Sequence, residues 1–244
     1  MPVGAAGGAG PAPYDPWMTD LPSSTTLASM IDRTSDAFVA GCEFVHEPRH
    51  QRVGAAMYRI LAGGQPASIA DIASRAEVTT AEVEEWVGSW PAVFRDDDGA
   101  VTGFFGLSVD DGFNHRADVD GMGTAWTWCT YDPLFIARVL GATVRVSSHC
   151  PVTGTEVRVT VTSDGVDAVE PATAVMSMMP PDLASFDDII TTLCHYIWFF
   201  ADDEAARRWT AENPDTFVVS IEDGFEIGRR MTDAVFDAVL AERT

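Results

Sequence analysis

The sequence predicts an α+β protein: a helical N-terminal part of winged-helix-like pattern, then a β-rich part with flanking helices. Three observations carry this expectation. Residues 52–104 show three helical segments followed by a hairpin signal, residues 105–180 read mainly as short strands, and helical periodicity returns towards the C-terminus.

Taken in order, residues 1–24 are rich in Gly, Ala and Pro without periodicity and read as a mobile tail. From Thr25 to Val45, apolar residues at Leu27, Ile31, Phe38, Cys42 and Val45 predict a helix ending near Pro48. Val53, Met57, Ile60 and Leu61 mark the next helix, stopped by Gly63-Gly64. Ser68 opens a short helix through Ala76. Thr79 and Glu82 make a capping box, with Val78 and Val83 as its hydrophobic staple, for a third helix running to Trp90. Asp96-Asp97-Asp98-Gly99 then separates two short strand candidates, a hairpin signal. This N-terminal unit is bounded at residues 25–104, and 105–244 form a second unit.

Within the second unit, Thr143–Ser147 and Glu156–Thr162 alternate around the turn Cys150-Pro151-Val152-Thr153-Gly154, which predicts an antiparallel pair. Ala172–Met179 reads as another strand, broken by Pro180-Pro181. Asp202–Glu212 is helical with Trp209 on its apolar face, Phe217–Ser220 is a short strand, and Glu222–Glu242 is a closing amphipathic helix.

Composition narrows the function. A chain of 244 residues with 46% apolar and 21% charged residues can bury a substantial core. It shows no apolar run of the ~20 residues that a membrane span needs. It also lacks a basic segment leading into an apolar one, so no signal peptide is expected and the cytoplasm is the default compartment. The net charge of −22 opposes nucleic acid as a partner, since phosphate binding needs clustered Lys and Arg. The helix running to Trp90 carries Glu82, Glu84 and Glu85 and no cation, so its role is read as structural or as an interface. Four cysteines are too few for a disulfide framework in such a chain, and free thiols are expected.

The stretch with most chemistry is Trp126-Thr127-Trp128-Cys129-Thr130-Tyr131-Asp132, where a thiol and a carboxylate stand three residues apart, with indoles at Trp126 and Trp128. A further thiol, Cys194, lies in the apolar run Leu193-Cys194-His195-Tyr196-Ile197-Trp198-Phe199-Phe200. Two thiolates brought together make a site for a soft metal, and a nearby carboxyl can move protons. Residue type alone leaves ordinary readings open: core cysteines, packing indoles at Trp126, Trp128 and Trp198, and an Asp132 that caps a helix. Pro133 favours that cap, whose N–H bonds would lower the carboxyl pKa.

These segments, together with Leu140-Gly141-Ala142, Val144–Gly154 and Ile227-Gly228-Arg229, resemble the alkylmercury (organomercurial) lyases over roughly residues 52–230. The resemblance implies a winged-helix-like N-terminal domain that does not read DNA, and a mixed β-sheet catalytic domain. It implies that Cys129 and Cys194 bind mercury, with Asp132 as proton carrier beside the metal. Cys150 matches a structural cysteine, whereas Trp198 stands where the family usually has His. The implied reaction is cleavage of a carbon–mercury bond by protonolysis, giving hydrocarbon and thiolate-bound Hg(II). No cofactor is implied; mercury arrives with the substrate, external thiols release it, and a mercuric reductase could accept the product. Cys42, His149 and His195 are assigned no catalytic part. Two other classes compete: a sensor or carrier that binds organomercury or another thiophilic metal without cleaving it, and a winged-helix transcriptional regulator.

Overall fold

A computed structural model describes residues 24–243 apart from 182–183 and 186–187; the expected N-terminal tail, residues 1–24, falls outside the described residues except at Ser24. The helices expected at the N-terminus form, with local reasons for each boundary. Helix α1 (Ser24–Gly41) stops earlier than its apolar periodicity suggested, and Glu43–Val45 continues as one turn of 3-10 helix. Helix α2 (Pro48–Leu61) starts on a proline, whose missing N–H costs nothing in a first turn. In α3 (Ile69–Ala76) the Ser68 hydroxyl accepts from Asp71 N–H. Helix α4 (Thr80–Ser89) carries the full Thr79–Glu82 capping box.

Strands β1 (Val93–Arg95) and β2 (Val101–Phe104) make the expected hairpin. Asp96 organises its turn by accepting from the Asp98 and Ala100 N–H groups. Arg95 forks onto Glu84 of α4, so one carboxylate of the acidic helix is occupied by the hairpin itself. Strand β2 then pairs with β3 (Leu107–Ser108), which carries the hairpin into the main sheet.

That sheet contains β4 (His115–Val119), β5 (Gly123–Thr127), β6 (Val144–His149), β7 (Glu156–Val161) and β8 (Val166–Glu170), in the order β1-β2-β3-β5-β4-β6-β7-β8. A smaller sheet has β9 (Val175–Met178) between β10 (Phe199–Phe200) and β11 (Phe217–Val219). Every pairing among the described residues is antiparallel, which corrects the expectation of a mixed sheet. The reason lies in β4. It pairs antiparallel with both β5 and β6, so those two strands run parallel yet never touch. Strand β8 was not anticipated; it lies at the sheet edge, mostly solvent-facing, where a weak apolar pattern is ordinary.

Helix α5 (Asp132–Leu140) crosses from β5 to β6 and is buried on nearly every side, against α2, β6, β7 and α8 (Ile221–Val235). A helix apolar all round belongs inside a protein. Helix α7 (Asp203–Glu212) packs on the small sheet, and α6 (Ile189–Thr192) packs on the turn that carries Cys194. The single closing helix expected over 222–242 is instead two, α8 and α9 (Asp237–Ala241). Phe236 leaves helical geometry to bury its ring beside Tyr58, and Gln51 of α2 accepts from Ala238 and Val239 N–H to cap α9. A partner so distant in sequence cannot be seen in local periodicity.

The approach of α8 to α5 depends on Gly228. A Cβ there would sit 3.0 Å from Phe135 Cβ and 3.3 Å from Phe135 N. Gly228→Ala should therefore push α5 away and destabilise the fold by about 1–3 kcal/mol, lowering Tm by roughly 2–8 °C. An unchanged melting curve would show that the two helices yield freely.

Candidate active site

The turn between β5 and α5 carries Cys129, and the fold seals it from both directions. Thr127 Oγ1 donates to Cys129 O at 3.0 Å, and Trp128 N–H donates to Gly106 O at 3.1 Å. Trp126, on β5, is half-buried and outside the hollow, whereas Trp128, one residue past the end of the strand, lines it. Asp132 is the first residue of α5, and Tyr131 holds the cap position expected for Asp132. Its Oδ2 accepts from Cys129 N–H at 2.7 Å, bending the carboxylate back over the preceding turn.

Cys194 reaches the same space from the other part of the chain. It opens a 3-10 turn, Cys194–Tyr196, directly after α6. Trp198 braces that turn from outside, its indole N–H donating to His195 O at 2.8 Å and its ring lying edge-on to His115. The Cys129 and Cys194 sulfurs and an Asp132 carboxylate oxygen all lie within 4.8 Å of one another, and all three residues are buried. Soft donors paired with a hard oxygen at this spacing suit a thiophilic ion.

The hollow over these groups is small, with space for about one water molecule. Its remaining walls are apolar or aromatic: Phe38 of α1, Phe105, Trp128, Tyr131, Phe135, Ile189 and Leu193. No Lys, Arg or His is among the described residues lining it. Burial therefore governs ionisation. It pushes the Cys129 thiol well up, helped by the hydrogen bond to Cys194 and the charge of Asp132. For Cys194, the hydrogen bond from Cys129 favours the thiolate, but burial and Asp132 leave its pKa raised as well. Burial lifts Asp132 to about 7, against hydrogen bonds from Cys129 and Trp128 that pull it down. This reverses the lowering expected of a capping carboxylate, because the carboxyl is almost wholly cut off from water.

A raised carboxyl has a definite linkage sign. In the unfolded chain Asp132 ionises near 3.8, and in the fold near 7. Its contribution to stability is full below the lower value and is lost as pH rises through the higher one. Asp132→Asn should thus gain stability relative to the parent between pH 4 and pH 8, by up to about 4 kcal/mol. Paired denaturation curves that differ by a constant amount across that range would contradict it.

The other thiols stand apart. Cys42 is buried directly after α1, and burial pushes its thiol far up. Cys150 packs in a separate apolar cluster with Phe200 and Ala201. Burial raises its pKa, but hydrogen bonds from Thr153 and backbone groups of Ala201 and Val152 outweigh that and leave it lowered. His149 and His195 are exposed. Sequence reasoning missed Phe38, Phe105 and Gly106 as part of the site. Gly106, directly after a strand candidate, was a readable turn signal, whereas nothing in α1 marks Phe38 as facing a thiol. His115 lies outside the hollow; it is buried and hydrogen-bonded to Ser148, and burial lowers its pKa to about 4.

Comparison with known proteins bears on the same residues. A family model described as alkylmercury lyase matches residues 110–233, a range that contains Cys129, Asp132 and Cys194. An alkylmercury lyase of Streptomyces lividans is 36% identical over 179 residues, spanning 73% of this chain and 81% of the relative. One from Staphylococcus epidermidis (strain ATCC 12228 / FDA PCI 1200) is 35% identical over 175 residues, spanning 72% and 79%. Among solved structures, the crystal structure of the mercury-bound form of MerB2 superposes with a TM-score of 0.63. It is 19% identical and the match covers 85% of this chain and 99% of that one, a likeness of fold.

Proposed function

This chain belongs to the alkylmercury lyase family, and on that premise we propose that Cys129, Cys194 and Asp132 cleave carbon–mercury bonds by protonolysis. The observation that carries the reading is the convergence of two thiols and one carboxyl within 4.8 Å in a buried hollow that no cationic side chain among the described residues lines.

The chemistry follows from the donors. A carbon bound to mercury is a poor leaving group until protonated. Both thiols are held mostly protonated by burial, so one must lose its proton to attack, and Asp132, poised near neutrality, is the base at hand. Sulfur then binds mercury, and the second thiol joins as the original ligand departs with its proton. Electron density donated by two sulfurs collects on the carbon. The protonated Asp132 delivers its proton there; the carbon–mercury electron pair becomes the new C–H bond, hydrocarbon leaves, and Hg(II) stays on the two thiolates. Of the two thiol protons, one ends on the hydrocarbon and one on the departing ligand. Mercury is the substrate's metal, and no organic cofactor enters.

Finer readings accompany this one. Small thiols in the cytoplasm would release Hg(II), and a mercuric reductase would consume it. The N-terminal residues 25–104 would act as a winged-helix-like unit packed on residues 105–244, not as a DNA reader. The pairing of Glu84 with Arg95 and the acidity of α4 support this.

The test is incubation with phenylmercury and excess small thiol, with benzene measured. Catalytic benzene release is expected. Stoichiometric capture of intact phenylmercury without benzene would favour a carrier or sensor instead.

A further inference from the structure

The loop between β2 and β3 comes from the part of the chain preceding the matched range, yet it touches the reacting carboxyl. Phe105 and Gly106 form this two-residue turn with φ of 30° and 96°, the sign pattern of a type I′ hairpin. A side chain as large as Phe105 rarely takes positive φ and stays there only when its surroundings hold it. They do. Tyr58 O–H donates to Phe105 O at 2.8 Å, and Phe105 N–H donates to Ala92 O at 3.0 Å. Tyr58 is fully buried. Gly106 O in turn accepts from Trp128 N–H, next to Cys129.

This anchored turn leaves no room beside Asp132. A Cβ on Gly106 would lie 2.6 Å from Asp132 Cγ, 2.6 Å from Oδ1 and 2.9 Å from Cβ. The opposite oxygen, Oδ2, is fixed by Cys129 N–H. The carboxyl is therefore clamped between a backbone donor on one side and a bare glycine face on the other. We propose that Gly106 is a positioning residue, and that the Tyr58-anchored β2–β3 turn sets where Asp132 delivers its proton. This deepens the lyase reading and rests on it. A carboxyl displaced by about 1 Å keeps its chemistry but loses alignment with the mercury-bound carbon, a loss worth about 10²-fold.

The test separates positioning from folding and from mercury binding. Gly106→Ala is assayed with phenylmercury and excess thiol, and separately for Hg(II) retention through the ultraviolet thiolate–mercury absorption. The expected result is kcat lower by about 10²-fold, with KM little changed and one Hg(II) retained per chain. Gly121→Ala is the control for backbone strain, since Gly121 also has positive φ, 73°, but a Cβ there meets nothing; its kcat should equal the parent's. Gly106→Ala with parent kcat, or Gly121→Ala with an equal loss, overturns the proposal. If Gly106→Ala does not fold, Tyr58→Phe decides. It deletes only the anchor hydroxyl, and kcat about fivefold lower with mercury retained is expected, whereas parent kcat overturns the proposal. A parent chain that releases no benzene sinks the lyase reading; a working parent with unaffected variants sinks only the role of Gly106.

Discussion

Asp132→Ala should keep Hg(II) on both thiols and yet release hydrocarbon about 10²–10⁴-fold more slowly. Among the described residues the hollow offers no substitute proton carrier: besides Cys129 and Cys194, the side chains lining it are apolar or aromatic, and the hydroxyl of Tyr131 is held in the protonated form by burial. Loss of the carboxyl removes both the base that frees a thiolate and the acid that protonates carbon. Mercury retention should survive, because the two sulfurs remain. Hydrocarbon release at the parent rate would remove Asp132 from the mechanism.

Cys129→Ser and Cys194→Ser should fail differently. Each exchanges a soft sulfur for a hard oxygen that mercury binds poorly, so retention of Hg(II) should weaken along with turnover. A single remaining sulfur donates less density to the carbon, and benzene release should fall by at least about 10²-fold. Cys42→Ser provides the contrast. Its thiol lies outside the metal-holding group, so the substitution should leave turnover near the parent's even if stability drops. If Cys42→Ser abolished turnover while Cys194→Ser did not, the pairing of thiols would be misassigned.

Much of this architecture is written in local pattern. The capping box at Thr79 and Glu82 forms as read, because its bonds span three residues. Strands β6 and β7 alternate buried and exposed positions because one face packs on the core. The site thiols and Asp132 were legible as residue types whose chemistry fits a soft metal, and the resemblance singled them out together. What stayed hidden depends on distant partners. The break at Phe236 needs Gln51, the orientation of Trp126 needs the strand's register, and the antiparallel sheet needs β4 between β5 and β6. The pKa of Asp132 is the clearest instance. Its neighbours in sequence argue for a lowered value, while the walls supplied by α1, α6 and the β2–β3 turn raise it. Burial is a property of the assembled fold and leaves no mark on the residues beside a carboxylate.

The most direct test of the shared site is a single turnover without external thiol. One equivalent of phenylmercury is added to the parent protein, benzene is quantified, and the mercury left on the chain is examined by X-ray absorption. One benzene per chain is expected, with mercury bound by two sulfurs and no carbon, and by one sulfur in Cys194→Ser. Mercury still carrying its phenyl group, or bound by the same sulfur set in parent and variant, would contradict the site formed by Cys129, Cys194 and Asp132.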